Sequence, residues 1–402
     1  HKPRAKSNWS SRRIVLGCVG MGGGNDCLAA YFVQTMPLPQ AMNAAALIIR
    51  NEIEKRGTIS FAHFMSLALY AHEAGYYEKP RPIGREGDFF TSASAGSLFG
   101  ELLAFQFAEW LEAGSGKHIV EAGAHDGQLA ADVLGYLHQN HPELVGKIEY
   151  WIIEPSDVRK GWQREKLMGF GRQVKWKSGW NDVKQHGVQG VIFGNELMDA
   201  FPVHRLGWDK NRQEWFEWGV AFLSGRFDWE RMEKPALKAL RNETFQVPRV
   251  LCDHLPAGFV TVCSPQAATW WQDAADRLGK GHLLAIDYGL EAEAFYAPER
   301  VDGSLRAFSK HQLADDVLVN PGEQDITASV NFTVLQTMGE LAGLSSMPLV
   351  TQEKFLVNIF EETLKEPGKF SEWTGERRRQ FQTLTHPEHL GRPFRVLQQK
   401  RG

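Results

Sequence analysis

The sequence predicts an α/β protein with a parallel, doubly wound sheet. Apolar runs of strand length alternate with helix-like segments between residues 118 and 287, which is typical of parallel sheets covered by helices. One run ends in an acid and a glycine turn, VEAGAHDG at 120–127. A strand that stops there and restarts as a helix leaves backbone N–H groups directed at a crevice, the usual ligand site in such sheets.

Helices are expected before the sheet. Helical periodicity covers residues 41–56, and Ser60 is a suitable N-cap for a second helix. A loop containing GDFFTSAS at 87–94 then leads into an apolar helix over 98–111. We expect residues 41–117 to form an N-terminal helical lid segment beside the main domain.

The sheet itself is expected from residue 118 onward, in a domain that runs to residue 402. A second acid, Glu154, closes the apolar run that follows the glycine turn, where the next strand would present a carboxylate to a ribose diol. The predicted strands are 118–122, 148–153, 174–176, 190–195 and 282–287, and the predicted helices between them are 127–139 and 157–167.

The alternation is interrupted at about 203–262, where apolar and polar residues alternate with the period of a β-hairpin. We expect a β-rich insertion there. A loop-rich segment should follow Asp287 as far as Asn331. Further expected elements are helices 332–342, 352–364 and 376–385 and strands 347–350 and 394–398, of which the two strands suit an antiparallel hairpin at the sheet edge.

Composition excludes several classes of function. The chain carries 45 basic and 48 acidic residues, mixed along its length, so nucleic acid is not an expected partner. No apolar run approaches the roughly 20 residues of a membrane span. The four cysteines have neither CxxC spacing nor a histidine cluster, so we assign no metal and no disulfide framework. Residues 1–40 have basic residues before any acid, and are either a leader or a non-native extension.

Nine short motifs occur in the order expected for one family. They are GDFFTSAS (87–94), VEAGAHDGQLAADVL (120–134), IIEPS (152–156), FGNELMDAFPVHRL (193–206), CSPQA (263–267), AIDYG (285–289), NPGEQDITASVNF (320–332), TQEKFL (351–356) and GRPFRVL (391–397). With these motifs the chain resembles the MidA-like family of class I S-adenosylmethionine-dependent methyltransferases, over about residues 47–398.

The resemblance implies a Rossmann-like seven-stranded sheet and S-adenosyl-L-methionine as cofactor. The mitochondrial member of the family helps to assemble respiratory complex I by dimethylating an arginine of one subunit. The implied acceptor is therefore a protein arginine, and the implied compartment is the cytoplasm for a bacterial chain or else the mitochondrial matrix. The oligomeric state is left open.

The implied cofactor site surrounds the glycine turn. Gly123 and Gly127 would let the backbone approach the methionine portion, Glu121 would accept from the ammonium, and Glu154 would bind the ribose hydroxyls. The alternative for the two glycines is an ordinary strand-to-helix turn. His125 stands where the family has a glycine, which also excludes the GxGxxG dinucleotide fingerprint of an oxidoreductase.

His125 leaves two outcomes open. Its imidazole turns outward to cap the helix or touch the ligand edge, with binding intact, or it crowds the cofactor, because a Cβ stands where the backbone should approach the ligand. The second outcome would give a catalytically degenerate assembly or binding factor that keeps the fold.

The expected catalytic group follows the fourth strand, at Asn195, Glu196 and Asp199. A guanidinium is always charged, so its site needs carboxylates that orient one nitrogen and accept its proton as attack proceeds. The alternative is that the two acids cap the next segment or pair with Arg205.

The lid motif adds Asp88, Thr91 and Ser92 as candidates for closing over the cofactor and excluding water. The alternative for the two hydroxyl residues is to cap the helix at 98–111.

Overall fold

The computed structural model describes residues 42–80, 91–114, 116–233, 244–245, 247–309, 312–366 and 368–402. The predictions for residues 1–40 and for Asp88 lie outside these ranges. The helices are α1 Ala44–Arg56, α2 Phe61–Tyr70, α3 Leu98–Gly114, α4 Gln128–Asn140, α5 Pro142–Val145, α6 Asp157–Lys166, α7 Arg249–Cys252, α8 Pro265–Arg277, α9 Ala292–Phe295, α10 Phe332–Leu341, α11 Gln352–Lys365 and α12 Gly375–Thr385.

The strands form three sheets. They are β1 Ile59–Ser60, β2 His118–Ala122, β3 Glu149–Ile153, β4 Val174–Lys177, β5 Val188–Asn195, β6 His204–Asp209, β7 Glu214–Leu223, β8 Arg226–Arg231, β9 Val260–Cys263, β10 Leu278–Leu290, β11 Leu305–Ser309, β12 Gln312–Leu313, β13 Asp325–Ala328, β14 Val330–Asn331, β15 Ser345–Ser346, β16 Val350–Thr351 and β17 Phe394–Arg401.

The main sheet confirms the predicted architecture. Its seven strands lie in the order β15-β17-β10-β5-β2-β3-β4, and the short strands β14 and β16 pair beside this path. The five strands β10, β5, β2, β3 and β4 are parallel to one another. Strand β17 runs antiparallel to β10. The carboxyl ends of β2, β3, β5 and β10 therefore meet at one edge, where open α/β sheets bind ligands.

Helices cover both faces of this sheet. Side chains alternate in direction along each strand, so Val191 and Phe193 pack with α3 and α4 on one face, while Ile192 packs with α8 and α10 on the other. Trp271, on α8, is fully buried in the second face. A sheet buried on both faces explains why its strands are nearly continuous apolar runs in the sequence.

The predicted β-rich insertion forms most of a second sheet. The order is β1-β7-β6-β9, with β8 paired to β7, and all these pairs are antiparallel. The lid segment supplies β1, and Ser60 caps α2 as predicted, because its Oγ accepts from His63 N at 3.2 Å. The domain boundaries themselves stay predictions.

One expectation for the second half of the chain was wrong, and two features were not predicted. Residues 347–349 are not a strand, since Pro348 has no N–H for a ladder, and the edge position is filled instead by β15 and β16. The loop-rich segment before Asn331 also contains the third sheet, β12-β11-β13, which was not predicted. Helix α8 was not predicted at all.

No helix within the described residues has the length and hydropathy to cross a membrane.

Candidate functional site

A cavity of about 1450 Å³ opens at the carboxyl edge of the parallel strands. Ordinary small-molecule pockets measure roughly 300–1,000 Å³, so this cavity has room for a cofactor and for part of a second substrate. The predicted site residues that line it are Glu121, Gly123, His125, Glu154, Thr91, Asn195, Glu196 and Asp199. Gly127 and Ser92 lie behind the lining rather than in it.

The glycine turn is left-handed at three positions. Gly123, His125 and Gly127 have φ values of +78°, +44° and +87°. A Cβ on Gly123 would lie 3.1 Å from Cδ1 of Leu197, so the turn packs closely against the segment that follows β5. The left-handed backbone explains why glycine suits position 125, and a histidine there costs about 1–2 kcal/mol.

The imidazole of His125 lines the cavity and does not cap α4. The N-cap of α4 is Gly127, and the Oδ1 of Asp126 accepts from N of Gln128, the first residue of the helix, at 3.0 Å. Nδ1 of His125 is buried without a hydrogen-bond partner in the described structure. Burial also lowers the pKa of His125, which favours the neutral ring.

Glu121 is a buried carboxyl at the end of β2. Its Oε2 accepts a hydrogen bond from the Tyr150 hydroxyl at 2.6 Å, and burial raises its pKa to about 8. An ionised carboxylate in this position is costly without a cation. A ligand ammonium at Glu121 would supply that cation, as the prediction requires.

Glu154 lies at the end of β3, where the prediction placed it, but its carboxylate is already saturated by protein donors. Oε1 accepts from Ser156 N and from Arg159 Nη2, both at 2.8 Å. Oε2 accepts from Arg159 Nε at 3.0 Å and from Gln163 Nε2 at 3.1 Å. A ribose diol can bind Glu154 only if it displaces one of these donors.

Arg159 was missed at the sequence level. Its Nη1 donates to Glu78 Oε1 at 3.0 Å and to the carbonyl oxygen of Tyr77 at 3.3 Å. The Tyr77 hydroxyl in turn donates to Asp325 Oδ1 at 2.6 Å. The turn at Tyr76–Glu78 therefore connects the Glu154 side of the cavity with Asp325 on the other side. An arginine five residues after a strand-end acid was the available signal.

The segment after β5 carries the expected catalytic group. Glu196 has a left-handed backbone, with φ +50°, and its Oε1 accepts from Ser92 N at 2.9 Å and from Asn195 Nδ2 at 3.1 Å. Among the described residues no donor reaches its Oε2. The Oδ1 of Asn195 is buried without a partner there. Acceptors for a bound ligand therefore remain beside Glu196.

Several buried acids surround this point. Burial raises the pKa of Glu196 to about 8, and burial together with the charges of Asp287 and Asp325 raises that of Asp199. Neither Glu196 nor Asp199 pairs with Arg205, whose guanidinium lies 4.0 Å from the centre of the Trp229 ring. The cavity at this end is built to receive a cation.

The lid loop contacts the expected catalytic group at Glu196 and does not cap α3. Ser94 and Thr91 form hydrogen bonds with each other. The backbone N–H of Leu98, the first residue of α3, donates instead to Gln380 Oε1 at 3.2 Å. Ser92 is fully buried. Its hydroxyl donates to Oε1 of Gln352 at 3.1 Å.

Part of the cavity lining is aromatic. Trp270 lies 5.1 Å from Trp180 and 6.1 Å from Phe201, measured between ring centres, and all three rings line the cavity. One cluster of described residues has metal-ligating spacing, Glu112 with His141 and Glu143, and none of its members lines the cavity.

Comparison with known proteins gives this cavity a chemistry. Residues 102–350 match the model of a family of S-adenosyl-L-methionine-dependent methyltransferases. The chain belongs to this family. It is also similar, with a TM-score of 0.77 and 29% identity over 89% of this chain and 92% of the other, to a Burkholderia thailandensis protein crystallised with S-adenosyl-homocysteine.

Curated relatives extend over most of the chain. The mitochondrial protein arginine methyltransferase NDUFAF7 of Xenopus tropicalis is 31% identical over 334 residues, which are 77% of this chain and 73% of the relative. Its Xenopus laevis counterpart is 30% identical over 392 residues, 89% of this chain and 85% of the relative. The protein is therefore an enzyme that uses S-adenosyl-L-methionine.

The described residues fit this cofactor. The left-handed glycine turn leaves backbone rather than side chain beside Leu197, and Glu121 offers a buried carboxyl for which the described part of the chain supplies no cationic partner. The individual roles of Glu121, Gly123, His125, Gly127 and Glu154 stay predictions.

Proposed function

We propose that this methyltransferase acts on an arginine side chain of a protein. The observation that carries the proposal is the group of carboxyls at one end of the cavity, the buried Asp199 and Asp325 and the half-buried Glu196. A guanidinium has five N–H donors in a planar fork and matches convergent carboxylates. The relatives named above are called protein arginine methyltransferases, which supports the same acceptor.

In the proposed reaction the two carboxylates after β5 orient the acceptor. The cofactor supplies an electrophilic methyl group on its sulfonium, so the protein mainly has to place the nucleophile in line with it. Glu196 and Asp199 hold the guanidinium and turn one nitrogen toward the cofactor side of the cavity. As the nitrogen–carbon bond forms and the sulfur–methyl bond breaks, with S-adenosyl-homocysteine as the leaving group, that nitrogen becomes acidic and one carboxylate accepts its proton.

The acceptor protein and the compartment are proposed from the relatives. The family resemblance predicts a subunit of respiratory complex I as acceptor, and the relatives from Xenopus are named mitochondrial. A bacterial protein is similar to this chain at nearly the same identity. Both expected compartments, cytoplasm and mitochondrial matrix, therefore stay predictions, which imaging of a tagged chain in its own cell would decide.

The proposal is tested by offering matched acceptors to the purified protein. Peptides that differ only in one arginine or lysine are incubated with S-adenosyl-L-methionine carrying a deuterated methyl group, and products are read by mass spectrometry. We expect label on the arginine peptide and none on the lysine peptide. Transfer to lysine, or to neither peptide while the cofactor binds, would reject the arginine acceptor.

Titration calorimetry with S-adenosyl-L-methionine accompanies this assay. It addresses the alternative of a degenerate binding factor, which His125 in the glycine turn suggests. Cofactor binding without turnover on extracts of candidate respiratory subunits would favour that alternative.

A further inference from the structure

Asp287 is a buried acid that holds the turn carrying the two proposed catalytic carboxylates. It is 1% exposed, in β10, and is not part of the cavity lining. Its Oδ2 accepts hydrogen bonds from three consecutive backbone N–H groups, those of Leu197 at 3.1 Å, Met198 at 2.7 Å and Asp199 at 3.3 Å. Its Oδ1 accepts from Tyr288 N at 2.7 Å.

The backbone at this turn needs such a partner. Glu196 adopts a left-handed conformation, with φ +50°, and its N–H donates to the carbonyl oxygen of Ile286 at 2.9 Å. The N–H groups that follow converge on one point, an arrangement that forms an anion-binding concavity. Asp287 supplies the anion from the neighbouring strand, and so holds the backbone of the turn from which the Glu196 and Asp199 side chains extend.

We propose that Asp287 is a positioning residue of methyl transfer, which acts through Glu196 and Asp199 by its hydrogen bonds to their turn and by its charge. The inference rests on the proposed function, because it takes these two carboxylates as the groups that meet the acceptor. Asp287 itself touches neither substrate nor cofactor.

The charge of Asp287 gives the proposal a second consequence. Its proximity raises the pKa of Glu196 and of Asp199, in addition to their burial. The groups that face Glu196 come from five elements, namely Ser92 N–H of the lid loop, Asn195 of β5, Asp199 of its own turn, Asp287 and Tyr288 of β10, and Asp325 of β13.

The sign of the pH effect follows from these charges. Orienting a cation requires ionised carboxylates, so the rate rises as pH passes through the raised pKa. Burial raises the pKa of Asp287 itself to about 7, so its charge acts mainly above that pH, where removing it lowers the pKa of Glu196 and moves the rise to lower pH.

The test compares the wild type with Asp287→Asn. Asparagine keeps one oxygen for the turn but loses the charge and places an amide where one acceptor stood. We expect kcat to fall about 10²-fold, as for a small misplacement of reacting groups, with the dissociation constant of S-adenosyl-L-methionine unchanged. The pH midpoint of kcat should move to lower pH.

Glu217→Gln is the matched control. Glu217 is also fully buried, accepts from His204 Nδ1 at 2.6 Å in the second sheet, and does not line the cavity. This substitution makes the same change at a buried carboxylate, and should lower thermal stability without moving the pH midpoint.

Two results would overturn the inference. One is an Asp287→Asn enzyme with the kcat and pH midpoint of the wild type. The other is an equal loss of cofactor affinity and kcat with an unmoved midpoint, which would mean that Asp287 serves only the fold.

A separate readout keeps this inference distinguishable from the proposed function. Carbon-13 NMR of labelled glutamate carboxyls, with Glu196 assigned by Glu196→Gln, follows ionisation without any acceptor. If the wild type transfers nothing to arginine, the proposed acceptor fails alone; a Glu196 titration displaced to lower pH by Asp287→Asn still supports the inference, and an unchanged titration overturns it.

Discussion

The backbone N–H of Ser92 donates to Oε1 of Glu196 at 2.9 Å, although the two residues are separated by 104 positions in the sequence. This bond connects the lid loop directly to the proposed catalytic carboxylate. It orients Oε1 toward the lid, which leaves Oε2 to contact the guanidinium of the methyl acceptor. Lid position and the geometry of Glu196 are therefore coupled.

Substitution of Ser92 tests this coupling. Ser92 has φ −57°, which proline can adopt, so Ser92→Pro removes the N–H while the local backbone direction is kept. Ser92→Ala is the control, because it keeps the N–H and loses only the hydroxyl bond to Gln352. We expect transfer to be lost in the proline variant and retained in the alanine variant, with a stability loss of about 1 kcal/mol in the latter. Equal activities in a steady-state assay would show that the bond is dispensable.

Substitution of the two acids after β5 should lower the rate of methyl transfer without changing cofactor affinity. Glu196→Gln and Asp199→Asn each remove an ionisable acceptor while side-chain size is kept, so cofactor affinity by calorimetry should be nearly unchanged. The transfer rate should fall roughly 10²–10⁴-fold, the range for loss of general-base and orienting groups. Parallel loss of affinity and rate would assign these residues to the cofactor or the fold instead.

His125 can be examined with a pair of substitutions. His125→Gly removes both the imidazole and the left-handed strain, whereas His125→Ala removes the imidazole and keeps the strain. We expect the glycine variant to gain about 1–2 kcal/mol of stability over the alanine variant in thermal denaturation. If the imidazole crowds the cofactor, both variants bind S-adenosyl-L-methionine more tightly; weaker binding by both would make His125 a ligand contact.

The raised pKa of Glu121 predicts that the stability of the cofactor-free protein depends on pH. Burial raises its pKa in the folded state to about 8 from an ordinary value of 4.5, so the folded state holds a proton that the unfolded state has released. The stabilising effect is complete below the unfolded pKa and is lost as pH rises toward 8. The thermal midpoint should fall across this range, and Glu121→Gln should flatten the curve. An equally steep curve in the variant would contradict this assignment.

The parallel strands could be predicted because their chemistry is local. Strand β2 has the bounds expected from its apolar run, and β3 and β5 differ from expectation by two residues or fewer at either end. A strand buried on both faces needs continuous apolar residues, and the acid and glycine at its end need only the turn that follows. These signals lie within a few residues of each other.

The contacts that shape the site are not local. Arg159 makes two of the four hydrogen bonds to Glu154 from five positions away, but it also reaches Glu78, 81 positions distant. Tyr77 and Asp325 are 248 positions apart. No periodicity in either segment indicates such a pair, because each depends on how the lid and the third sheet pack over the cavity.

The central claim is that the acceptor guanidinium binds between Glu196 and Asp199, beside a cofactor seated on the glycine turn. A crystal structure of the enzyme with S-adenosyl-homocysteine and an arginine peptide tests this claim most directly. We predict the cofactor product against Gly123 and a guanidinium within hydrogen-bond distance of both carboxylates, with one nitrogen directed at the sulfur. A guanidinium bound elsewhere, or a cofactor product away from Gly123, would contradict it.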